Sequence, residues 1–330
     1  MRISNDQFAR IVADARARHN MSDVAGRHTT LKKRGARELV GLCPFHEERS
    51  PSFEVNNTKG TFYCHGCGKG GDAITLLTDL EHMSFMDAVR WLSGDALPVV
   101  TEEERAKRRT VAAAEVQDRI NLARSIWANA CPVADTPAET YLITRGIDPN
   151  VPSTVRFVAT PRWRDEETGE CGRDVPALAC ALQSASGELV GVQCVFLDKG
   201  GSEKFERQRP DGSRAKAKLS FGLVAGSALR LGPVRDEIVI CEGPEDGLTL
   251  SEQLRGRTVW VSCGTAMMAQ MQFPAEVGKI VLAGDNGHAG HEAVVQARSA
   301  FEGQGLSTSA IFPDARFKDW NDEARGIAIA

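Results

Sequence analysis

Four residues of this 330-residue chain combine the types and spacing of a metal site: Cys43, His46, Cys64 and Cys67 read C-x2-H-x17-C-x2-C. Two such knuckles can bring four ligands to one tetrahedral centre, and thiolates with imidazole suit Zn²⁺. Four protein ligands leave no open position for water, so the ion is expected to be structural. Gly66 and Gly68 flank the last cysteine and are expected to take positive φ, leaving N–H groups to face the thiolates. A second set is acidic. Glu242 directly follows the apolar run 238–241, and Asp285 lies just beyond the run 280–283. At the carboxyl ends of strands in an open α/β sheet, both carboxylates stand where ligands bind. Two converging carboxylates offer hard oxygen ligands for Mg²⁺, which stabilises the charge of phosphoryl transfer. A third set is basic: Lys199, Lys204, Arg207, Arg209, Arg214, Lys216 and Lys218 crowd one stretch that holds three acids. Lys204, Arg207, Lys216 and Lys218 are the expected contacts to DNA or nucleotide phosphates; a solvated loop would carry the same charge.

The elements that must position these groups follow from periodicity. A helix is expected over 5–19, with Phe8, Ile11, Val12 and Ala15 on one face. Asp72 can cap a helix carrying Ile74, Leu76, Leu77 and Leu80, and Ser84 with Asp87 starts another. Leu97-Pro98 marks a boundary. Thr101 and Glu104 then open a charged connector helix whose apolar stripe is Val116, Ile120, Ala123 and Trp127. Residues 150–232 read as mostly β, with glycine turns. From Glu237 onward strands EIVIC, TVWVS, KIVLA and STSAIF alternate with helices near 245–255, 265–271 and 289–303, which predicts a parallel, doubly wound sheet. The expected organisation is α+β and multidomain: 1–97 a metal-ribbon module with helices, 98–135 a connector helix, 136–234 a small, basic, mixed β-rich segment, and 235–330 an α/β domain with a parallel sheet.

Composition narrows the rest. No apolar run nears the ~20 residues of a membrane helix, so no membrane is expected as partner. The start MRISNDQFAR lacks the layout of a secretory signal, and nine cysteines, an odd number, point to a reducing, cytoplasmic setting. The formal net charge of −4 argues on its face against nucleic acid, but a total hides local patches. Residues 1–69 hold 12 Lys or Arg against 7 Asp or Glu, densest at Lys32, Lys33, Arg34 and Arg37. Phe45, Phe53, Phe62 and Tyr63 lie among them; each is ribbon core or, if exposed, a platform for base stacking.

Here the sequence resembles a family. The run GLCPFHEERSPSFEVNNTKGTFYCHGCGKGGDAITLL, with LKKRGARELVG before it and FMDAVRWLS after it, is similar to the Cys-His-Cys-Cys zinc ribbon of bacterial-type DNA primases. In that family the ribbon recognises single-stranded template DNA. ICEGPEDGLTL, SCGTAMM and LAGDNGHAGHEA resemble the successive motifs of a Toprim domain, the metal-binding fold of bacterial-type primases, topoisomerases and some nucleases. By that resemblance Glu242 matches the catalytic glutamate, Asp246 the acid four residues on, and Asp285 the first acid of an Asp-x-Asp pair. Gly264 and Thr265 match the loop before the second helix. FKDWNDEAR resembles the segment that supplies further acids, which puts Asp319 and Asp322 with Glu242 and Asp285 as magnesium ligands; Asn321 stands where bacterial primases more often have an acid. Gly287 departs from the pattern, standing where the second Asp belongs. Its absence weakens a second metal unless Asp319, Asp322 or His288 substitutes. YLITRGI, GELVGVQCVFLD and KLSFGLVAGSALRLG resemble plasmid- and phage-type primases, which suits a mobile element.

The resemblance implies a DNA primase, a DNA-directed RNA polymerase and nucleotidyltransferase that makes short RNA primers on single-stranded DNA during replication. It implies structural Zn²⁺, catalytic Mg²⁺ or Mn²⁺, nucleoside triphosphates as substrates, and a replicative helicase met through other surfaces or in trans. Two rivals stay open: a catalytically weak DNA-binding accessory protein and a Toprim nuclease.

Overall fold

The computed structural model describes residues 5–34, 38–94, 101–165, 168–207, 212 and 214–329. The boundary at Leu97-Pro98 and the basic residues Arg37 and Arg209 lie outside the described residues. The chain divides into two units, Met1–Glu115 and Val116–Ala330.

In the first unit, helices α1 (Asn5–Arg18) and α2 (Met21–Ala25) precede strands β1 (Lys32–Arg34), β2 (Glu38–Gly41), β3 (Phe53–Asn56), β4 (Thr61–Cys64) and β5 (Gly70–Asp72). The strands pair in sequence order, all antiparallel. Alternation sets their faces: Phe53, Val55, Phe62 and Cys64 point into the core while Glu54 and Tyr63 point away from it. Helix α3 (Ala73–Leu80) starts where the Asp72 carboxylate accepts the Thr75 N–H, and α4 (Phe85–Leu92) where the Ser84 hydroxyl accepts the Asp87 N–H. Both are the caps that the sequence predicts, each satisfying an otherwise orphaned helical donor. The helices place Leu76, Leu77 and Leu92 in the same core.

Helix α5 (Glu102–Ala128) begins as expected, with the Glu104 N–H donating to Thr101 Oγ1 at 3.2 Å. In its first half Arg105 pairs with Asp14, and Arg108 donates to the Asn20 side chain and the Asn57 carbonyl. In its second half Ala123 and Ile126 are the buried residues. The expected stripe therefore needs correction: Val116 is exposed, and Ile126 takes a buried place, because only the last turns of the helix meet a core.

The second unit continues with α6 (Pro137–Thr144), then β6 (Val155–Pro161), β7 (Asp174–Gln183), β8 (Leu189–Phe196), β9 (Lys218–Gly222) and β10 (Ala228–Arg230). Strand β11 (Glu237–Cys241), α7 (Pro244–Gln253), β12 (Thr258–Val261), α8 (Thr265–Met268), β13 (Lys279–Ala283), α9 (His288–Glu302), β14 (Ser307–Ile311) and α10 (Trp320–Arg325) follow. Nine strands form one sheet in the order β14-β13-β11-β12-β10-β7-β8-β9, with β6 against β7. Pairing is parallel from β14 to β12, as the strand–helix alternation predicts, and antiparallel from β10 to β9. The sheet runs across the expected boundary at 234/235, since β10 pairs with both β12 and β7.

After Glu237 the EIVIC strand is apolar and buried because helices cover both its faces. Val239 and Cys241 pack with Leu248 and Leu250 of α7, whereas Ile238 and Ile240 pack with Trp260 and with Val294, Ala297 and Phe301, the last three on α9. Strand β11 has β12 on one side and β13 on the other, so the chain changes direction there. That opens a crevice beyond the carboxyl ends of β11 and β13, the place where open α/β sheets bind ligands.

Candidate functional site

The first unit brings its four metal-type residues together. The ligand atoms of Cys43, His46, Cys64 and Cys67 all lie within 4.8 Å of one another, and they are the one such group among the described residues. Cys43 Sγ is 3.9 Å from Cys67 Sγ, and Cys64 Sγ is 3.9 Å from His46 Nδ1. A tetrahedron with Zn–S bonds of 2.3 Å has S···S edges of ~3.8 Å, so the cage fits zinc. The Phe45 and Cys67 N–H groups each point at a thiolate sulfur at 3.4 Å. Burial pushes the Cys43 thiol up to about 12. Burial opposes ionisation of Cys64 too, but hydrogen bonds from Ser52 and the Cys67 N–H outweigh it and bring that thiol down to about 6.

Glu48, which the sequence reading missed, braces this cage. It accepts the Cys43 N–H at 2.7 Å and the Ser52 hydroxyl at 2.5 Å, and lies 3.4 Å from His46 Nε2. A carboxylate on the outer ring nitrogen turns Nδ1 toward the metal. The signal was available in His46-Glu47-Glu48, an acid two residues after the ligand. Gly68 has φ +75° as expected, but Gly66 is glycine for another reason: a Cβ there would lie 2.7 Å from His46 Nε2. Phe53 and Phe62 are buried, and Phe45 stacks on Phe62 at 5.6 Å, so these three are core; Tyr63 is 48% exposed, and the three residues of β1 are exposed too.

In the second unit Glu242 follows β11 and Asp285 follows β13, on the two sides of the crevice. Asp285 Oδ1 is buried with no hydrogen-bond partner among the described residues. Burial, then the charges of Glu242 and Asp319, push the Asp285 carboxyl up to about 6. Burial, then Asp319 and Asp285, push Asp246 up to about 8. The mutual influence shows that Glu242, Asp246, Asp285 and Asp319 share one region. No three of them meet as closely as the cysteine–histidine group does. A divalent cation fits this donor set, since it supplies the buried Asp285 oxygen with a partner and offsets the repulsion.

Helix α10 brings in Asp319. Its carboxylate caps the helix by accepting the Asp322 N–H at 2.8 Å. The Trp320 indole donates to the Gly284 carbonyl at 3.1 Å, and the buried Asn321 donates its N–H to Asp246 Oδ1 at 3.0 Å. Asp322 is not among the leading charges on Asp246 or Asp285. Gly287 sits at φ 106° and ψ 165° as the N-cap of α9. Asn286 is tied down, donating to the carbonyls of Pro313, Asp314 and Phe317.

The basic stretch divides. Lys204 Nζ is 2.8 Å from Glu245 Oε1 and Lys218 Nζ is 2.8 Å from Glu245 Oε2, while Arg207 and Lys216 are exposed. Glu245 is buried and also accepts the Tyr141 hydroxyl at 2.8 Å. Burial opposes its ionisation, but Lys218 and Lys204 outweigh that and hold the carboxyl well below its ordinary range. Of the remaining cysteines, Cys180, Cys194, Cys241 and Cys263 are buried, and Cys131 and Cys171 are exposed.

Three family models match the chain in succession: a CHC2 zinc finger over residues 7–109, a domain of unknown function (DUF7146) over 117–231, and a Toprim domain over 237–327. A DNA primase of Mycobacterium bovis is 29% identical over 365 residues, which cover 95% of this chain and 54% of that protein. A DNA primase of Streptomyces coelicolor is 41% identical over 100 residues, 30% of this chain and 15% of that one. The chain is similar in sequence to bacterial DNA primases along nearly all its length. It spans about half the length of the primases that it matches along nearly all its own length. Among solved structures, the zinc-binding and RNA polymerase domains of the Aquifex aeolicus primase match at 18% identity and a TM-score of 0.40, over 96% of this chain and 84% of that one. The CHC2 match over the Cys43, His46, Cys64 and Cys67 cage supports a structural zinc site there, and the Toprim match implies Mg²⁺ or Mn²⁺ for that domain. No helix among the described residues is long and apolar enough to cross a membrane.

Proposed function

We propose that this chain is a DNA primase, which copies single-stranded DNA into short RNA primers from nucleoside triphosphates. The observation that carries the reading is Asp285: a buried carboxylate oxygen without a hydrogen-bond partner among the described residues, at a sheet switch point, with three further acids near it, in a chain that also matches a zinc ribbon. Glu242, Asp285, Asp246 and Asp319 are the residues that would hold the divalent cation, with Asp322, in the first turn of α10, as a further candidate. Mg²⁺ bound there supplies charge stabilisation to the phosphoryl oxygens.

The protein's own contribution is positioning and electrostatics rather than a covalent nucleophile. The outward face of the ribbon, with Lys32, Arg34 and Tyr63, suits a single strand through charge and stacking, and Lys33 adds charge on the exposed edge strand β1. Lys204, Lys218, Lys216 and Arg207 suit phosphates of template or nucleotide. We place template binding in 1–97 and catalysis in 235–330, joined by 98–135 and 136–234. The test is to incubate the zinc-loaded chain with single-stranded DNA, ribonucleotides and Mg²⁺. Di- and oligoribonucleotides that vanish in Asp285→Asn support the reading, and their absence from wild type over all Mg²⁺ and Mn²⁺ concentrations refutes it. Gly287 favours a second reading, a DNA-binding accessory protein with weak catalysis, which predicts zinc-dependent DNA binding and no incorporation. Cleaved strands in reactions without nucleotides would instead favour a nuclease.

A further inference from the structure

The strongest feature outside the acids is the buried carboxylate of Glu245, whose two oxygens each hold one lysine. Lys204 and Lys218 come from distant points of the β-rich stretch, yet each ammonium sits 2.8 Å from a different Glu245 oxygen. Tyr141, from α6, fixes the same carboxylate with its hydroxyl at 2.8 Å. The glutamate side chain is 6% exposed, whereas the lysine side chains are 31% and 36% exposed. The anion is thus inside, and each lysine side chain keeps about a third of its surface exposed. The pair also borders the acids: Lys218 Nζ is 3.5 Å from where a Cβ on Gly243 would stand, next to Glu242.

We infer that Glu245 is a positioning residue: it holds Lys204 and Lys218 as one rigid cationic pair beside the acids, built to receive a polyphosphate, the tail of an incoming nucleoside triphosphate. The inference rests on the reading of the acidic site as one for nucleotidyl transfer. A buried ion triad is a poor device for stability alone, since its desolvation cost rivals its attraction and an apolar cluster of the same size would serve as well. What it does supply is geometry. Two flexible lysines lose rotamer freedom on folding rather than on binding, so the ligand meets a preformed seat.

Electrostatics alone and positioning predict opposite signs for Glu245→Gln. The triad has a formal charge of +1, and the substitution raises it to +2. If Glu245 only neutralises lysine charge, its loss tightens polyphosphate binding. If it positions, binding loosens: the amide oxygen holds one ammonium, its NH₂ repels the other, and one phosphate contact goes. Losing one charge-assisted hydrogen bond corresponds to a weakening of about tenfold or more.

The experiment is calorimetric titration of the full, zinc-loaded chain with inorganic tripolyphosphate in the absence of Mg²⁺, with folding checked by circular dichroism. Glu245→Gln is expected to bind about tenfold more weakly than wild type. Glu245→Asp, which keeps the charge but is one methylene too short to reach both lysines and Tyr141, is expected to weaken binding as well. Wild-type or tighter binding by folded Glu245→Gln overturns the inference, as does full rescue by Glu245→Asp. Should the Glu245 variants not fold, Tyr141→Phe removes one anchor and is expected to weaken binding about threefold, with unchanged affinity overturning the inference. In primer synthesis the expected signature of Glu245→Gln is a raised nucleotide KM with kcat little changed. Tripolyphosphate binding that depends on Glu245 in a chain that makes no primers sinks the primase reading and leaves the seat. Primer synthesis with an unchanged KM in Glu245→Gln does the reverse.

Discussion

Gly287 occupies the position at which the primase resemblance expects a second aspartate, and its backbone explains why one is hard to put back. At φ 106° and ψ 165° it lies in a region essentially confined to glycine. A non-glycine residue held there costs ~1–3 kcal/mol. No atom lies within 4 Å of a Cβ built on Gly287, so the cost is conformational and not steric. The two informative variants therefore differ. Gly287→Ala carries the full backbone cost, ~2 kcal/mol. Gly287→Asp carries the same cost less ~1 kcal/mol, because an aspartate at the N-cap of α9 can accept a helical N–H and meets the positive end of its dipole. For a unit of this size 1 kcal/mol moves the midpoint by ~2–4 °C. Scanning calorimetry of the zinc-saturated protein should then show the second unit melting ~4–8 °C lower in the alanine variant and ~2–4 °C lower in the aspartate variant. An alanine variant that melts within about 1 °C of wild type, or an aspartate variant that melts higher, refutes the reasoning. The consequence for catalysis is that Gly287→Asp is not a simple restoration, since the strained backbone would relax and carry the carboxylate with it.

Removing zinc with a chelator should unfold the first unit and leave the second, read as loss of amide-exchange protection over 38–72 with protection retained in β11 and β13; protection retained in both would refute a structural role. Gly66→Ala should lower zinc affinity ~10-fold or more by displacing His46, measured by competition with a chromophoric chelator. Asp285→Asn should stabilise the metal-free protein at pH 8 and not at pH 4. The folded pKa of Asp285, about 6, is raised above its ordinary 3.8, so its contribution is present at low pH and lost as pH rises through 6. The ceiling on that effect is ~3 kcal/mol. Mg²⁺ should raise the melting point of wild type and not of the variant, and a melting curve of metal-free Asp285→Asn that falls below wild type at pH 8 would contradict the assignment.

The zinc cage was legible because its determinants are local: two knuckles, the glycines and the caps at Asp72 and Ser84 each act within a few residues. The parallel strands β11, β12 and β13 were legible for the same reason, each being a short, largely apolar run with a turn at its end. Burial of the ribbon aromatics was not. Phe53, Phe62 and Tyr63 share a composition, and only the β3–β4 register decides that the first two face inward and Tyr63 outward. Ile126 replaced Val116 as a buried residue for a like reason, since helical periodicity does not tell where along α5 a core begins. Tyr141 and Glu245, 104 residues apart, form a bond that no local pattern announces. Sequence charge counted Lys204 and Lys218 as free cations, because the glutamate that holds them lies in another element, at the start of α7.

Glu245 and Asp246 are neighbours on one helix, both buried, both carboxylates, and their environments drive them in opposite directions. Glu245 meets two ammonium groups and a phenol and is held ionised. Asp246 meets Asp319 and Asp285 and is pushed up to about 8. One turn of α7 can do this because successive side chains leave a helix about 100° apart, so adjacent residues face different partners. The division has a chemical point. Lys218 is close enough to act on Asp246 and Asp285 as well. Were it not committed to Glu245, an ammonium would be the simplest partner for the orphaned Asp285 oxygen, and the acids would be neutralised from within. On the proposed reading, Glu245 by committing the lysines keeps cationic and anionic halves of one site apart, so that the acids stay short of positive charge and the lysines are set toward phosphate. A magnesium–triphosphate complex, with a cation at one end and an anion along the other, has the charge order that such a divided site lacks.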